Sequence, residues 1–184
     1  MSEPVQNEDI SLKYKAISLL FGGPRYLSEA SEVAGKVQDQ VFASAVNNIA
    51  KANSENSEKI ETQYTACFVN NFPKLPCPPY ESWYLDGSFH GAAVARLTVW
   101  YRKFGLFPAA LPEDHISAIA EFAAYLYHTD KAEADKFVRE HFLTWAGKFA
   151  DDIAKKCTNE YVKELGSLLQ SFLNDEIERL RDSR

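Results

Sequence analysis

Leu75-Pro-Cys-Pro-Pro-Tyr-Glu-Ser-Trp-Tyr-Leu85 interrupts an otherwise helix-forming chain of 184 residues. Four prolines fall within seven residues: Pro73, Pro76, Pro78 and Pro79. Proline fixes φ and removes a backbone donor, so no helix runs through this segment. It then presents Tyr80, Trp83 and Tyr84 around one carboxylate, Glu81, with Ser82 between them. A rigid, aromatic, non-helical insert in a helical protein is a candidate binding surface.

On either side of the insert the sequence reads as helix. All eight prolines lie at or before Pro112, and the 72 residues beyond it hold only two glycines, Gly147 and Gly166. Tyr161, Leu165, Leu168, Leu169, Phe172, Leu173, Ile177 and Leu180 recur at spacings of three and four, one stripe of a helix that Thr158 is placed to cap. Ala134, Phe137, Val138, His141, Phe142, Trp145 and Phe149 mark the helix before it, opened by Asp130 and Glu133 at capping-box spacing. A helix over 113–127 is apolar on two sides and is expected near the centre of the fold. Earlier helices are expected over 8–21, 27–52 and 55–70, and another over 89–104, stopped by Gly105. No segment alternates as a strand does. The expected fold is all-α, a single-domain bundle of about seven helices: an N-terminal part over 1–104, a connector over 105–112 and C-terminal helices over 113–182.

Composition narrows the function. A net charge of −6 argues against nonspecific binding to nucleic acid or an anionic membrane. The polar, acidic N-terminus lacks the basic and apolar regions of a secretion signal, and no apolar run has the length of a membrane span. Cys67, Cys77 and Cys157 form no CxxC and are expected as free thiols, with Cys67 and Cys77 able to meet across the insert.

Of 24 aromatic residues, 11 fall between Tyr64 and Phe107, too dense a set to be assigned to core packing alone. Trp100, Tyr101 and Phe104 cannot all point one way along a helix, so some must face the insert or a groove. Glu113-Asp114-His115 opens the next helix, and two accounts stand side by side. Acidic residues in a first turn meet the macrodipole favourably, by roughly 0.3–1 kcal/mol each. An acidic pair exposed at a groove mouth would instead accept hydrogen bonds from arginine. Catalysis finds no support: adjacent Asp114 and His115 point about 100° apart on a helix, and Ser82 has no GxSxG setting. The four histidines and three cysteines lack zinc-site spacing, His141 reads as a satisfied core histidine, and no phosphate-binding loop is present. The reading therefore contains no catalytic residue, no metal site and no cofactor.

Cys77-Pro-Pro-Tyr-Glu-Ser-Trp-Tyr-Leu85 resembles the (C)PPYESxY element of the TorD/DmsD-type redox-enzyme maturation chaperones. Four further pieces follow in the family's order: the helix ending Trp100-Tyr-Arg-Lys-Phe-Gly105, then Pro112-Glu-Asp-His-Ile116, Ile119-Ala-Glu-Phe-Ala-Ala-Tyr-Leu126 and Phe137-Val-Arg-Glu-His-Phe-Leu-Thr-Trp145. The resemblance spans residues 60–175. It implies an all-helical cytoplasmic chaperone without enzymatic activity. Such a chaperone binds the twin-arginine signal peptide or another part of an apo-molybdoenzyme catalytic subunit, holds it until the molybdopterin cofactor is inserted, and restrains export. Family members often carry Pro where this chain has Glu113, and a bulkier residue such as Met near Ala123 or Ala124. The PPYES form places the chain nearer the dimethylsulfoxide and trimethylamine-oxide reductase type.

The client groove expected from residues and resemblance together uses Tyr80, Glu81, Ser82, Trp83, Tyr84, Trp100, Tyr101, Glu113, Asp114 and His115. Asp114 would take the arginine pair and the aromatics the apolar stretch, because guanidinium pairs bidentately with carboxylate and stacks on rings. Two other classes stand beside it: a guanine-nucleotide-binding regulatory protein or enzyme, and a helical scaffold whose aromatics fill the core. The chain is expected as a monomer, with a domain-swapped dimer as the alternative that proline-marked connectors permit.

Overall fold

The computed structural model describes residues 3–71 and 74–182. These form ten α-helices and no strand, so the all-α expectation holds and the count of about seven is corrected. In chain order they are α1 (Glu3–Gly22), α2 (Leu27–Ala34), α3 (Gln40–Glu55), α4 (Ser57–Phe68), α5 (Glu81–Asp86), α6 (Ala92–Lys103), α7 (Ile116–Thr129), α8 (Lys131–His141), α9 (Ala146–Lys156) and α10 (Glu160–Asp182).

The three additional helices have local causes. The stretch expected as one helix over 27–52 breaks at Gly35, and α3 restarts where the Asp39 carboxylate accepts from the Val41 and Phe42 amides. The stretch opened by Asp130 breaks after His141, where the Trp145 indole donates to the His141 carbonyl at 2.7 Å. A side chain takes an acceptor that the continuing backbone would have used. The third helix, α5, follows directly on the prolines.

Several expected boundaries hold. Asp130 caps α8 by accepting from the Glu133 amide, and Gly105 adopts φ 66 past the end of α6. At the start of α10, however, Asn159 rather than Thr158 accepts from the Val162 amide at 3.0 Å.

The helix expected at the centre is there. α7 is buried along most of its length and packs against α1. Ser11 donates to the Ala124 carbonyl, and Ser117 donates to the Ser18 carbonyl at 2.8 Å, so the two helices run antiparallel. Buried alanines at 118, 120, 123 and 124 let the backbones approach. α10 packs across α9, where a Cβ on Gly166 would lie 2.6 Å from Ile153 Cγ2.

One buried polar network ties α1, α7, α8 and α10 together. Tyr14 Oη donates to Glu176 Oε2 at 2.8 Å, and its ring stacks on Tyr127 and meets Phe172 edge-on. Arg179 bridges Glu176 at 2.8 Å to Asp135 at 3.0 Å and donates to the Tyr127 hydroxyl. Removing one member leaves a buried charge without its partner, which is costlier than losing an exposed pair. Glu176→Ala is therefore expected to lower unfolding stability by roughly 3 kcal/mol in urea titrations. Lys15→Ala, which removes only the exposed pair with Glu121, is expected to change it by less than about 1 kcal/mol.

Candidate functional site

The proline segment is fixed to the start of α7 by backbone hydrogen bonds. Tyr80 and His115 form an isolated antiparallel bridge: the Glu81 amide donates to the Asp114 carbonyl and the Ile116 amide to the Pro79 carbonyl, each at 2.9 Å. Proline offers no amide but keeps its carbonyl, so Pro79 serves here as acceptor and the insert's donor is the Glu81 amide. Upstream, the Cys77 amide donates to the Cys67 carbonyl at the end of α4.

The bridge brings together the two motifs that lie some thirty residues apart in sequence. Asp114 is 2% exposed, and its Oδ2 accepts from the Ser82 hydroxyl at 2.5 Å and the Ser82 amide at 3.2 Å. It thereby caps α5 from a different part of the chain. The expected exposed pair of Glu113 and Asp114 is thus corrected. Asp114 is buried by its capping role, Glu113 is half-buried, and both precede α7 instead of opening it. The cap of α7 is His115, whose Nδ1 accepts from the Ser117 amide at 3.1 Å.

Glu81 is fully buried, and its two carboxylate oxygens lie 3.0 and 3.2 Å from His141 Nδ1 on α8. Burial raises the Glu81 pKa, and His141 opposes that only in part. Both side chains are satisfied by this contact, as buried polar groups must be. His141 is the core histidine that its apolar face suggested. Its pairing with Glu81 escaped the sequence reading, although a carboxylate in an apolar insert and a lone core histidine each require a partner.

The aromatics divide by depth. Tyr101 is buried against Phe122 and donates to the Glu113 carbonyl at 2.8 Å. Trp100 is 8% exposed, points to α8 and donates to Glu140 at 3.2 Å. The Nζ atoms of Lys103 and Lys136 sit 5.3 and 5.4 Å from its ring centroid. Tyr84 is half-buried, stacks on Trp145 and donates to Asp152 at 3.3 Å, neither residue having been singled out as a partner. Trp83 and Tyr80 are half-buried and both meet Phe89, which is exposed. A cleft of about 190 Å³ opens here, lined by Leu75, Tyr80, Phe89, His90, Pro112 and Asp114. Of the ten nominated residues, Tyr80, Trp83, Tyr84 and Glu113 thus reach solvent in part, while the other six build the joint beneath them.

The cysteines are free, as expected, and all three are buried. Cys77 meets Cys157, Sγ to Sγ 3.4 Å, which joins the insert to the end of α9; its contact with Cys67 is through the backbone. Among the described residues no group of three or more His, Cys, Asp or Glu is arranged to hold a metal ion, and no helix is long and apolar enough to cross a membrane.

An all-helical protein with a proline-aromatic insert bridged to a helix start is the class that fold and site define. The sequence profile of the nitrate reductase delta subunit matches residues 30–151, and the chain belongs to that family. It is 33% identical over 116 residues to the "Probable Tat proofreading chaperone DmsD" of Haemophilus influenzae, a match covering 60% of this chain and 57% of that relative. The fold is similar to a crystal structure described as a "Putative Redox Enzyme Maturation Protein" from Archaeoglobus fulgidus. The TM-score is 0.67 with 24% identity, over 90% of this chain and 93% of the other. The TorD/DmsD resemblance read from the sequence is borne out.

Burial lowers the His115 pKa from 6.5 to about 4. A neutral ring is also what the cap requires, since protonation of Nδ1 would remove the acceptor for Ser117. Between pH 6.5 and 4 the unfolded chain binds a proton at this residue that the folded protein does not. Stability from His115 is therefore complete above pH 6.5 and is lost as pH falls through about 4. Glu81, with its raised pKa, contributes with the opposite sign, losing stability as pH rises from the ordinary carboxylate range. The readout is thus the difference between wild type and His115→Asn, which keeps a capping oxygen but cannot titrate. Urea titrations are expected to show wild type losing up to about 3 kcal/mol more than the variant over that interval.

Proposed function

We propose that this protein is a cytoplasmic chaperone that binds the apo catalytic subunit of a molybdenum oxidoreductase through its twin-arginine signal peptide. It holds the subunit until the molybdenum cofactor is inserted and export can follow. It performs no chemistry of its own. The observation that carries this reading is the ordered set of motifs from Cys77 to Trp145, joined in space by the Tyr80–His115 bridge. The printed name of the H. influenzae relative agrees with it. The net charge of −6 suits a peptide bearing two arginines.

Within this reading the ten nominated residues take two roles. Tyr80, Trp83, Tyr84 and Glu113 are the ones placed to touch a client. Glu81, Ser82, Asp114, His115, Trp100 and Tyr101 set the positions of those four and of α5. Asp114 then acts on client binding through the shape of the insert.

Calorimetric titration of the full chain tests the proposal, using synthetic signal peptides of the molybdenum oxidoreductases encoded in its own genome. Binding of at least one peptide is expected, weakened about tenfold or more when its two arginines are replaced by lysines, because lysine cannot pair bidentately. If the folded chain binds none of these peptides, the reading is wrong.

A further inference from the structure

All three cysteines of the chain converge on one buried point. Cys67 lies in the last turn of α4, Cys77 in the proline segment, and Cys157 at the end of α9. Cys157 Sγ is 3.4 Å from Cys77 Sγ, and the Cys67 thiol is its other neighbour. Asn159 Nδ2 donates to Cys67 Sγ at 3.4 Å, so Cys67 already has a second partner. Cys77 stands between Pro76 and Pro78, whose fixed φ angles limit where its side chain can be carried. A cysteine packed as a small apolar group needs no second thiol beside it. Here the contact joins positions 80 residues apart and ties the insert to α9.

As the protein is folded, the pair is protected. Cys77 and Cys157 are both buried. The hydrogen bond to Cys157 and burial push the Cys67 thiol up. Cys67 draws the Cys157 thiol down, but Cys77 and burial outweigh it and push Cys157 up to about 12. The thiolate is the reactive form, so oxidation waits on an opening that returns Cys157 to water. The insert is suited to such an opening. Towards α9 it is held by the Tyr84–Asp152 hydrogen bond, 3.3 Å long, and by the stacking of Tyr84 on Trp145.

We infer that Cys77 and Cys157 are a reversible disulfide pair, oxidised by a hydroperoxide, that locks the proline insert to the end of α9. When the insert lifts, the Cys157 thiolate attacks the peroxide. The O–O bond breaks, Cys157 becomes a sulfenic acid, and the departing hydroxide takes a proton to leave as water. When the insert reseats, the Cys77 sulfur attacks the Cys157 sulfur. The S–O bond breaks, and a second water carries off the Cys77 proton. The two thiols have then lost two electrons and the peroxide has gained them. Tyr84, on the partly exposed face of the insert, lies close enough to both thiols to feel their charge, so the lock acts directly beneath that face. This chemistry holds whatever the protein binds.

The test treats the folded full-length chain with hydrogen peroxide, under conditions that oxidise the urea-unfolded chain, then alkylates and maps the peptides by mass. Free thiols are expected to fall from three to one, the bonded two being Cys77 and Cys157, and to return to three with a dithiol reductant. Chymotrypsin is expected to cut the insert at least about tenfold more slowly in the oxidised protein than in the reduced one. Cys157→Ala, its fold checked by circular dichroism, is expected to lose that peroxide-dependent slowing. If the variant does not fold, the wild-type map and digestion decide the matter. Three free thiols after peroxide, or a bond joining any other pair, overturns the assignment. A Cys77–Cys157 bond with unchanged digestion overturns the lock.

Discussion

The antiparallel bridge between Tyr80 and His115 is the contact on which the second half of the molecule depends. A segment with prolines at 76, 78 and 79 cannot form a helix or a continuous ladder, so its path must be set by a few bonds made to other elements. Two backbone hydrogen bonds fix it to the start of α7, and the Asp114 carboxylate then supplies the cap that so short a helix as α5 cannot find locally. A six-residue helix has no cooperative stability of its own. Its persistence rests on that cap and on Glu81, whose contact with His141 extends the bridge to α8. One joint thus positions α5, α7 and α8 together.

The chemistry of the joint is that of positional specificity more than of strength. Glu81 is fully buried with a pKa above its ordinary range, so the desolvation of its carboxylate is only partly offset by His141. Pairs of this kind add little net stability over an apolar replacement, yet loss of one partner alone is expensive. A slipped register would strand Glu81 or Asp114 without a partner, which rules out alternative seatings of the insert. The motif that resembles the chaperone family is therefore chiefly a device for holding a shape. Its outer face carries Trp83, Tyr80 and the exposed Phe89, while most of its polar residues point inward.

Helices with a strong apolar stripe or an unambiguous cap were legible in the sequence. The two-sided apolar pattern of α7 put it at the centre, and Asp130 and Gly105 marked ends that the structure keeps. The breaks inside expected helices were harder to see for identifiable reasons. Gly35 is a tolerable residue in a helix until Asp39 offers a new cap, and residues 142–145 contain no helix breaker at all. There the interruption comes from an indole bonding a carbonyl one turn back, a tertiary choice of rotamer that residue type does not announce. Asp114 was recognised as important, but its direction was not legible. Whether a carboxylate before a helix faces water or another segment depends on what the rest of the chain brings to it. A trough of about 600 Å³ between α3 and α10, floored by Phe42 and Phe172, was likewise invisible, because it exists only once helices over 100 residues apart are packed together.

Consecutive acids on α10 show how the fold divides its charges. Asp175 and Glu176 differ by about 100° around the helix axis, so they face different surroundings. Glu176 is buried and fully engaged by Tyr14 and Arg179, inside the network that joins four helices. Asp175 is exposed on the side facing α3, where burial raises its carboxyl, Lys13 opposes the rise, and Asp39 and Glu178 add to it. The arginine that might have served it is turned to the other side of the helix, where it pairs with Glu176 and Asp135. Burial does most to raise both carboxyls; Lys13 offsets part of the like-charge repulsion at Asp175, while Glu160 adds to the rise at Glu164. Charge that is satisfied within α10 thus builds the core, and the acids on its opposite face stay with solvent, where screening keeps their mutual repulsion small.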